Sequence, residues 1–258
     1  MTLNCISEAL ERTIKPQILS EITSKILVRN VDDSEKMHND APISFDQVEI
    51  ALLSECNLQI LKEKVIGAAI LRKAGYTLYV HSSVADPTQD WKIKTGTQLY
   101  VDNEMAKRQI ENINPNIQVQ VTSKDALQSH LNIGCQAFIT ESINNIVDLG
   151  DEWLVLPLTP LELVPHAGQG TFVFLLPKGN NELRRKIAQF HDPNISALTN
   201  IEREISAESP FPIHIHISQI KDGFQVALAW LKEDTLTTKV FRRSTLVNIE
   251  SHIHSIIE

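Results

Sequence analysis

The chain has 258 residues, 42% of them hydrophobic, and carries 32 acidic against 24 basic residues for a net charge of −8. This composition indicates an ordinary globular protein with ample material for a packed core. The acidic balance argues against a nucleic-acid surface and favours a small-molecule or protein partner.

The number and spacing of the cysteines and the length of the apolar runs indicate the cellular compartment of the protein. Cys5, Cys56 and Cys135 are odd in number and form no CxxC pair, so neither a disulfide framework nor a zinc ribbon is expected. The first residues do not read as a signal peptide, and no window approaches a spanning helix of roughly 20 apolar residues. We therefore expect a soluble, cytoplasmic protein with no membrane partner.

Hydrophobic periodicity predicts the elements of the first third. Apolar residues three and four apart predict a helix over 7–28, and Ser44 is placed to cap a second, short helix that ends at Leu53. Three short apolar runs then predict strands over residues 58–61, 65–71 and 77–80. The stretch 86–90 is polar and contains a proline, so we expect a domain junction there.

A repeating strand and helix pattern follows. The sequence predicts a strand ending near Gln98, a helix over 103–113, a strand over 117–121, a helix over 124–131 and a strand over 136–139. Alternation of this kind in so few residues predicts a parallel-rich α/β domain.

The segment Pro165-His166-Ala167-Gly168-Gln169-Gly170 stands out because glycine is otherwise scarce. Two glycines around one glutamine indicate a backbone that needs positive φ or close approach. After it, helices are predicted over 181–190 and 194–205. Alternating strands are then predicted over 213–217, 224–231 and 237–241, with a hairpin turn at Asp222-Gly223 and a helix over 246–257. This last part predicts a small α+β unit.

The order of these segments resembles the porphobilinogen deaminase (hydroxymethylbilane synthase) family of tetrapyrrole biosynthesis. Pro165-x-x-Gly168-Gln169-Gly170 is similar to that family's Pro-x-x-Gly-Gln-Gly segment, and Ile220-Lys221-Asp222-Gly223 is similar to its hairpin. Upstream, Thr95-Gly96-Thr97 resembles its Gly-Thr-Ser-Ser turn. The resemblance covers the whole chain in outline and is densest after about Pro157.

The resemblance implies two α/β domains of the type II periplasmic-binding-protein kind plus a small C-terminal α+β domain. The expected bounds are 1–88 with 165–178 for the first domain, 89–164 for the second, and 192–258 for the third. It also implies a cleft between the first two domains, and we expect Thr95, Gly96, Thr97, Lys124, Gly168 and Gln169 to contribute to ligand binding.

The family's chemistry requires residues that this chain lacks. Ser209 stands where the family tethers a dipyrromethane to cysteine, and a hydroxyl is a far weaker nucleophile than a thiol, so no covalent cofactor is expected. The family's arginine pair is matched by Val101 and Asp102. Asp86, which follows Val80-His81-Ser82, is the candidate for a displaced functional carboxylate.

Three functional hypotheses stay open from the sequence. The first is a degenerate family member that binds a small anionic pyrrole, a tetrapyrrole or a pathway enzyme. The second is an active hydroxymethylbilane synthase that uses displaced groups, and the third is an intracellular module that binds a small anion. A metal site is not expected, because His214, His216, His252 and His254 have no carboxylate or cysteine at ligand spacing.

Overall fold

The computed structural model describes residues 48–56, 58–123, 126–127, 131, 134–142 and 149–258. The helix predicted over 7–28 lies outside the described residues, and so does most of the helix predicted over 124–131. The described chain forms two compact units. Unit 1 combines residues up to Lys73 with Gly168–Asn200, and unit 2 combines Ala74–Ala167 with Ile201–Glu258. The three predicted domain boundaries stay a prediction.

The strands follow one another along the chain as β1 Glu49–Leu52, β2 Lys64–Arg72, β3 Tyr76–His81, β4 Gln98–Val101, β5 Gln118–Val121, β6 Ala137–Glu141, β7 Trp153–Leu158, β8 Thr171–Pro177, β9 Ile213–Ile220, β10 Gly223–Lys232 and β11 Thr235–Arg243. The α-helices that the structure describes in full are α1 Leu58–Glu63, α2 Glu104–Ile113, α3 Asn181–Ala188, α4 Pro193–Glu208 and α5 Ile249–Ile257. None of the described helices is long and apolar enough to cross a membrane.

Unit 1 is built on an antiparallel sheet in the order β1-β8-β2. After Thr171 the central strand β8 is apolar, and its Phe172 and Phe174 are completely buried. Residues of β1 face it in register, with Ile50 opposite Phe174. Burial on both faces explains why β8 is a continuous apolar run without alternation.

Two sequence predictions in unit 1 are wrong. The segment before Leu53 is the strand β1 and not a helix, because its side chains are buried in the sheet beside β8. The segment from Leu58 is the helix α1 and not a strand. Four apolar residues fit either period, so tertiary packing decides such short runs.

Unit 2 contains a mixed sheet in the order β5-β4-β6-β3-β7. Strand β4 runs parallel to β5 and β6, whereas β3 is antiparallel to both β6 and β7. Helix α2 returns the chain from β4 to β5 and buries Ala106 and Ile110 in the core of this sheet. The helix predicted over 103–113 is confirmed, whereas the predicted parallel-rich sheet is mixed, with two parallel and two antiparallel pairings.

The second sheet of unit 2 is antiparallel in the order β11-β10-β9. The turn at Gly223 has a φ of 138°, as the Asp-Gly signal predicts. Helix α5 buries Ile249, Ile253 and Ile257. Sheets and helices are therefore mixed in both units, and the predicted α/β class is confirmed, while a separate third domain stays a prediction.

Candidate functional site

In the unit 2 sheet, the order of the strands reverses between β4 and β6. From β4 the chain passes through α2 to β5 on one side, and β6 then pairs with β4 on the other side. In open α/β sheets, ligands bind outside the carboxyl ends of the strands at such a reversal of strand order. Asp102 follows β4 directly and Glu141 is the last residue of β6, so two carboxylates flank this position.

Glu141 is paired with a histidine from the segment before β8. His166 Nε2 lies 2.9 Å from Glu141 Oε1, and the Glu141 residue is only 6% exposed. Burial works to lower the pKa of His166. The hydrogen bond and the charge of Glu141, with smaller contributions from the Ala167 carbonyl and Asp102, nevertheless raise that pKa above its ordinary value. These partners thus favour the cationic form of the imidazole.

Asp102 is oriented by the start of α2. Its Oδ1 accepts a hydrogen bond from Asn103 Nδ2 at 2.8 Å, and Asn103 Oδ1 accepts one from the Ala106 amide at 2.7 Å. Asn103 has an extended backbone and caps the helix through that second bond. The cap therefore fixes the direction in which the chain leaves β4.

The segment that carries His166 is anchored just before it, at Val164. The Gln109 side chain accepts from the Val164 amide at 2.8 Å and donates to the Val164 carbonyl at 3.0 Å. His214 Nδ1 lies 2.9 Å from the same carbonyl, and because a carbonyl only accepts, the proton sits on Nδ1. Burial lowers the pKa of His214 to about 4, so this second histidine is neutral at pH 7.

Together these residues make an edge with two carboxylates and the imidazole of His166, beside the buried neutral imidazole of His214. The His166 and His214 rings meet edge to face with centroids 6.1 Å apart. Carboxylates at a partly enclosed edge favour a cationic ligand group. Protonation of His166 adds a positive charge beside Glu141 and so weakens that preference. We call this set, Asp102, Glu141 and His166, the carboxylate edge.

The residues predicted from sequence lie elsewhere. Asp86 is in an exposed loop, where its Oδ1 accepts from the Thr88 hydroxyl at 2.7 Å and the Thr88 amide at 3.0 Å. These bonds lower the pKa of Asp86, as expected for a turn carboxylate. The Thr95-Gly96-Thr97 turn precedes β4 and so lies at its amino end, opposite the carboxylate edge.

The remaining predicted positions belong to other parts of the chain. Lys124 lies outside the described residues. Gly168 and Gln169 are in unit 1, where Gly168 and Gly170 have φ of 72° and 67° and Gln169 is completely buried. Ser209 Oγ donates to the Phe211 carbonyl at 2.8 Å and accepts from the Phe211 amide at 3.3 Å, which closes a turn before β9. Roles in ligand binding for Lys124, Gly168 and Gln169 stay predictions.

Metal ligands are not gathered in the described part of the chain, where no group of three or more His, Cys, Asp or Glu side chains could hold an ion. His214 and His216 point into the interior of unit 2 and are less than 10% exposed. The carboxylate edge itself escaped the sequence analysis, because Glu141 follows an apolar run and Asp102 entered only as the replacement for an arginine. The reversal of strand order between β4 and β6 is the feature that locates this site, and it was not predicted from the sequence.

Comparisons with known proteins give only similarities of structure. No family model matches the chain, and no curated protein matches it. Among solved structures, an ancestral cationic amino acid solute-binding protein is 14% identical, with 68% of this chain and 79% of that chain covered and a TM-score of 0.35. A substrate-binding protein of an amino acid ABC transporter from Streptococcus pneumoniae, bound to L-arginine, is also 14% identical, with 69% and 78% covered and a TM-score of 0.31.

A third similar structure is the periplasmic VFT2 domain of BvgS from Bordetella pertussis. It is 11% identical, with 70% of this chain and 73% of that chain covered and a TM-score of 0.33. Identities and TM-scores this low transfer no ligand and no activity to this chain.

These findings correct the expectations drawn from the porphobilinogen deaminase resemblance. The similar structures are solute-binding proteins for amino acids, so the predicted family and its link to tetrapyrrole biosynthesis are wrong. The predicted pyrrole, tetrapyrrole and pathway-enzyme partners are wrong with them, as are the synthase and intracellular anion-binding alternatives. The cytoplasmic location is also wrong, since the similar structures are transporter components and a periplasmic domain.

Proposed function

We propose that the protein binds a small molecule with a cationic nitrogen, an amine or a guanidinium, at the carboxylate edge of unit 2. The observation that carries the proposal is the position of Asp102 and Glu141 on either side of the strand-order reversal, with His166 against Glu141. A cationic ligand group there would be held by charge-assisted hydrogen bonds to carboxylates.

The sign of the ligand follows from the same residues. Glu141 is almost fully buried, and a buried carboxylate is stabilised by a cation that replaces the lost solvation. Asp102 places a second carboxylate beside that of Glu141, whereas His166 is the basic group of these three side chains. An anionic ligand group would be repelled by both carboxylates.

Isothermal titration calorimetry with named probes tests the proposal. L-arginine and agmatine carry a guanidinium with and without a carboxylate, putrescine carries only amines, and glutarate is an anion of similar length. We expect the cationic probes to bind and glutarate to leave no signal. The changes Glu141→Gln and Asp102→Asn should each weaken binding at least tenfold, about 1.4 kcal/mol.

The matched control is Glu111→Gln, which removes the same charge from the far end of α2, where Glu111 faces Lys107. This variant should bind like the unmodified protein. Retention of full affinity by Glu141→Gln, or equal loss in Glu111→Gln, would sink the proposal.

A further inference from the structure

A second cluster of reactive side chains lies at the opposite edge of the same sheet, independent of the carboxylate edge. Strand β3 runs between β6 and β7 and is antiparallel to both, so its carboxyl end meets their amino ends. The His81 amide donates to the Gln136 carbonyl at 2.8 Å, and the Ser82 amide donates to the Glu152 carbonyl at 2.8 Å. Backbone pairing thus places His81, Gln136 and Glu152 side by side.

The side chains form a chain of hydrogen bonds from a hydroxyl to a carboxylate. His81 Nδ1 lies 2.8 Å from Ser83 Oγ, and His81 Nε2 lies 3.1 Å from Glu152 Oε2. The Ser83 amide also donates to His81 Nδ1, at 3.2 Å. Because an amide only donates, Nδ1 carries no proton, so it accepts from the Ser83 hydroxyl while Nε2–H faces Glu152. Both ring nitrogens are therefore assigned by their partners.

Two neighbours complete the environment. Gln136 Nε2 donates to Ser83 Oγ at 3.1 Å, which leaves the Ser83 hydroxyl proton directed at His81 Nδ1. The Trp153 ring meets the His81 ring edge to face at 5.2 Å, and Phe138 stands behind Trp153 at 5.5 Å. These rings make a rigid aromatic wall, and the Ser83 residue beside it is exposed to solvent.

We propose that Ser83 is a nucleophile for acyl transfer from small aryl esters, with His81 as its general base and Glu152 as the residue that positions His81. A hydroxyl within hydrogen-bond reach of a base that a third group orients is the general signature of an activated nucleophile. Such an arrangement is recognised by geometry and role and not by order in the chain. Here Nδ1 takes the part of the base and Nε2 faces the carboxylate.

The reaction balances without any further reactant except water. Ser83 Oγ attacks the ester carbonyl carbon as its proton passes to His81 Nδ1, and the carbonyl oxygen takes up the negative charge of the tetrahedral intermediate. The bond from the carbonyl carbon to the leaving oxygen breaks, and the phenol leaves with the proton from His81. Water then attacks the acyl-serine through His81, which returns the proton to Ser83 as the carboxylic acid departs.

The test uses the full chain with a fluorophosphonate probe and with p-nitrophenyl acetate. We expect one probe per chain on Ser83, located by peptide mass analysis, and p-nitrophenol release that Ser83→Ala removes. His81→Ala should slow labelling by about a hundredfold or more. Ser82→Ala is the matched control, because it removes the neighbouring exposed hydroxyl, and it should label like the unmodified protein.

The positioning role of Glu152 requires a measurement that a purely structural contribution of this residue would leave unchanged. Glu152→Gln should lower the acylation rate constant and leave the half-saturating ester concentration unchanged, and Glu152→Asp should restore part of the rate. Circular dichroism of each variant establishes that the fold is kept. Labelling that spares Ser83, or ester hydrolysis that is equal in Ser83→Ala and the unmodified protein, overturns the proposal.

Discussion

His214 is a buried titratable side chain whose folded-state pKa is lowered to about 4 by burial. The unfolded chain binds a proton on this histidine near pH 6.5, so the unfolded state holds more protons between that pH and about 4. The contribution of His214 to stability is therefore fully present above pH 6.5 and is lost as the pH falls through that window. The sign is opposite for His166, whose raised pKa stabilises the folded state at the acidic end.

The substitution His214→Gln should flatten the pH dependence of stability. In the unmodified protein, we expect His214 to lower the free energy of unfolding by about 2 kcal/mol between pH 7.5 and pH 5. The glutamine side chain would still donate to the Val164 carbonyl but has no proton to gain. Urea unfolding at both pH values measures the difference, and His252→Gln on α5 is the control that should keep the original slope.

For single residues, the sequence shows which side chains are present but not which groups surround them in the fold. The strand pattern around Ile213, Ile215 and Ile217 predicts their burial, yet it leaves His214 and His216 as ordinary histidines. Their burial depends on the other elements of unit 2, since His214 faces Val164 and Gln109 from distant parts of the chain. No local pattern encodes such contacts.

At the turn of the β9–β10 hairpin, both the backbone conformation and the surrounding atoms require glycine at position 223. Gly223 has a φ of 138°, and an added Cβ would overlap the Arg243 carbonyl oxygen and lie 2.9 Å from Ser244 Cα. Gly150 has a φ of 80° but has nothing within 4 Å of an added Cβ. An alanine at either position would have an unfavourable positive φ. Only at position 223 would its Cβ also overlap neighbouring backbone atoms.

Gly223→Ala should therefore destabilise the protein more than Gly150→Ala. We expect the hairpin variant to lose about 2 kcal/mol more, because backbone atoms of β11 must move to admit the methyl group. Thermal or urea unfolding of both variants measures this difference. Equal losses would show that crowding at β11 contributes nothing.

Elements with a strong period were predictable, and short ones were not. Helix α2 and the hairpin at Gly223 follow from apolar spacing and turn chemistry. Strand β1 and helix α1 contain too few apolar residues for a period to decide, so the sheet of unit 1 determines them. Strand β7 was not predicted, and it contains Pro157, a residue that disfavours a strand because it has no backbone N–H.

For the whole molecule, the sequence predicted the α/β class but not the site. The carboxylate edge arises from three segments that end at Asp102, Glu141 and His166, and only the order of the strands brings them together. The motifs that resemble the porphobilinogen deaminase family lie instead at the glycine-rich segment and near Ser209. Those glycines serve positive φ at a turn, which explains their presence without a ligand.

The central claim is that a cationic nitrogen binds beside Glu141, and the pKa of His166 reports it directly. In an NMR titration of the imidazole signals, agmatine should lower the pKa of His166, because the bound cation shares Glu141 and repels the imidazolium. The His252 signals should stay unchanged. Binding of agmatine that leaves the pKa of His166 where it was, or no binding at millimolar agmatine, would contradict the account.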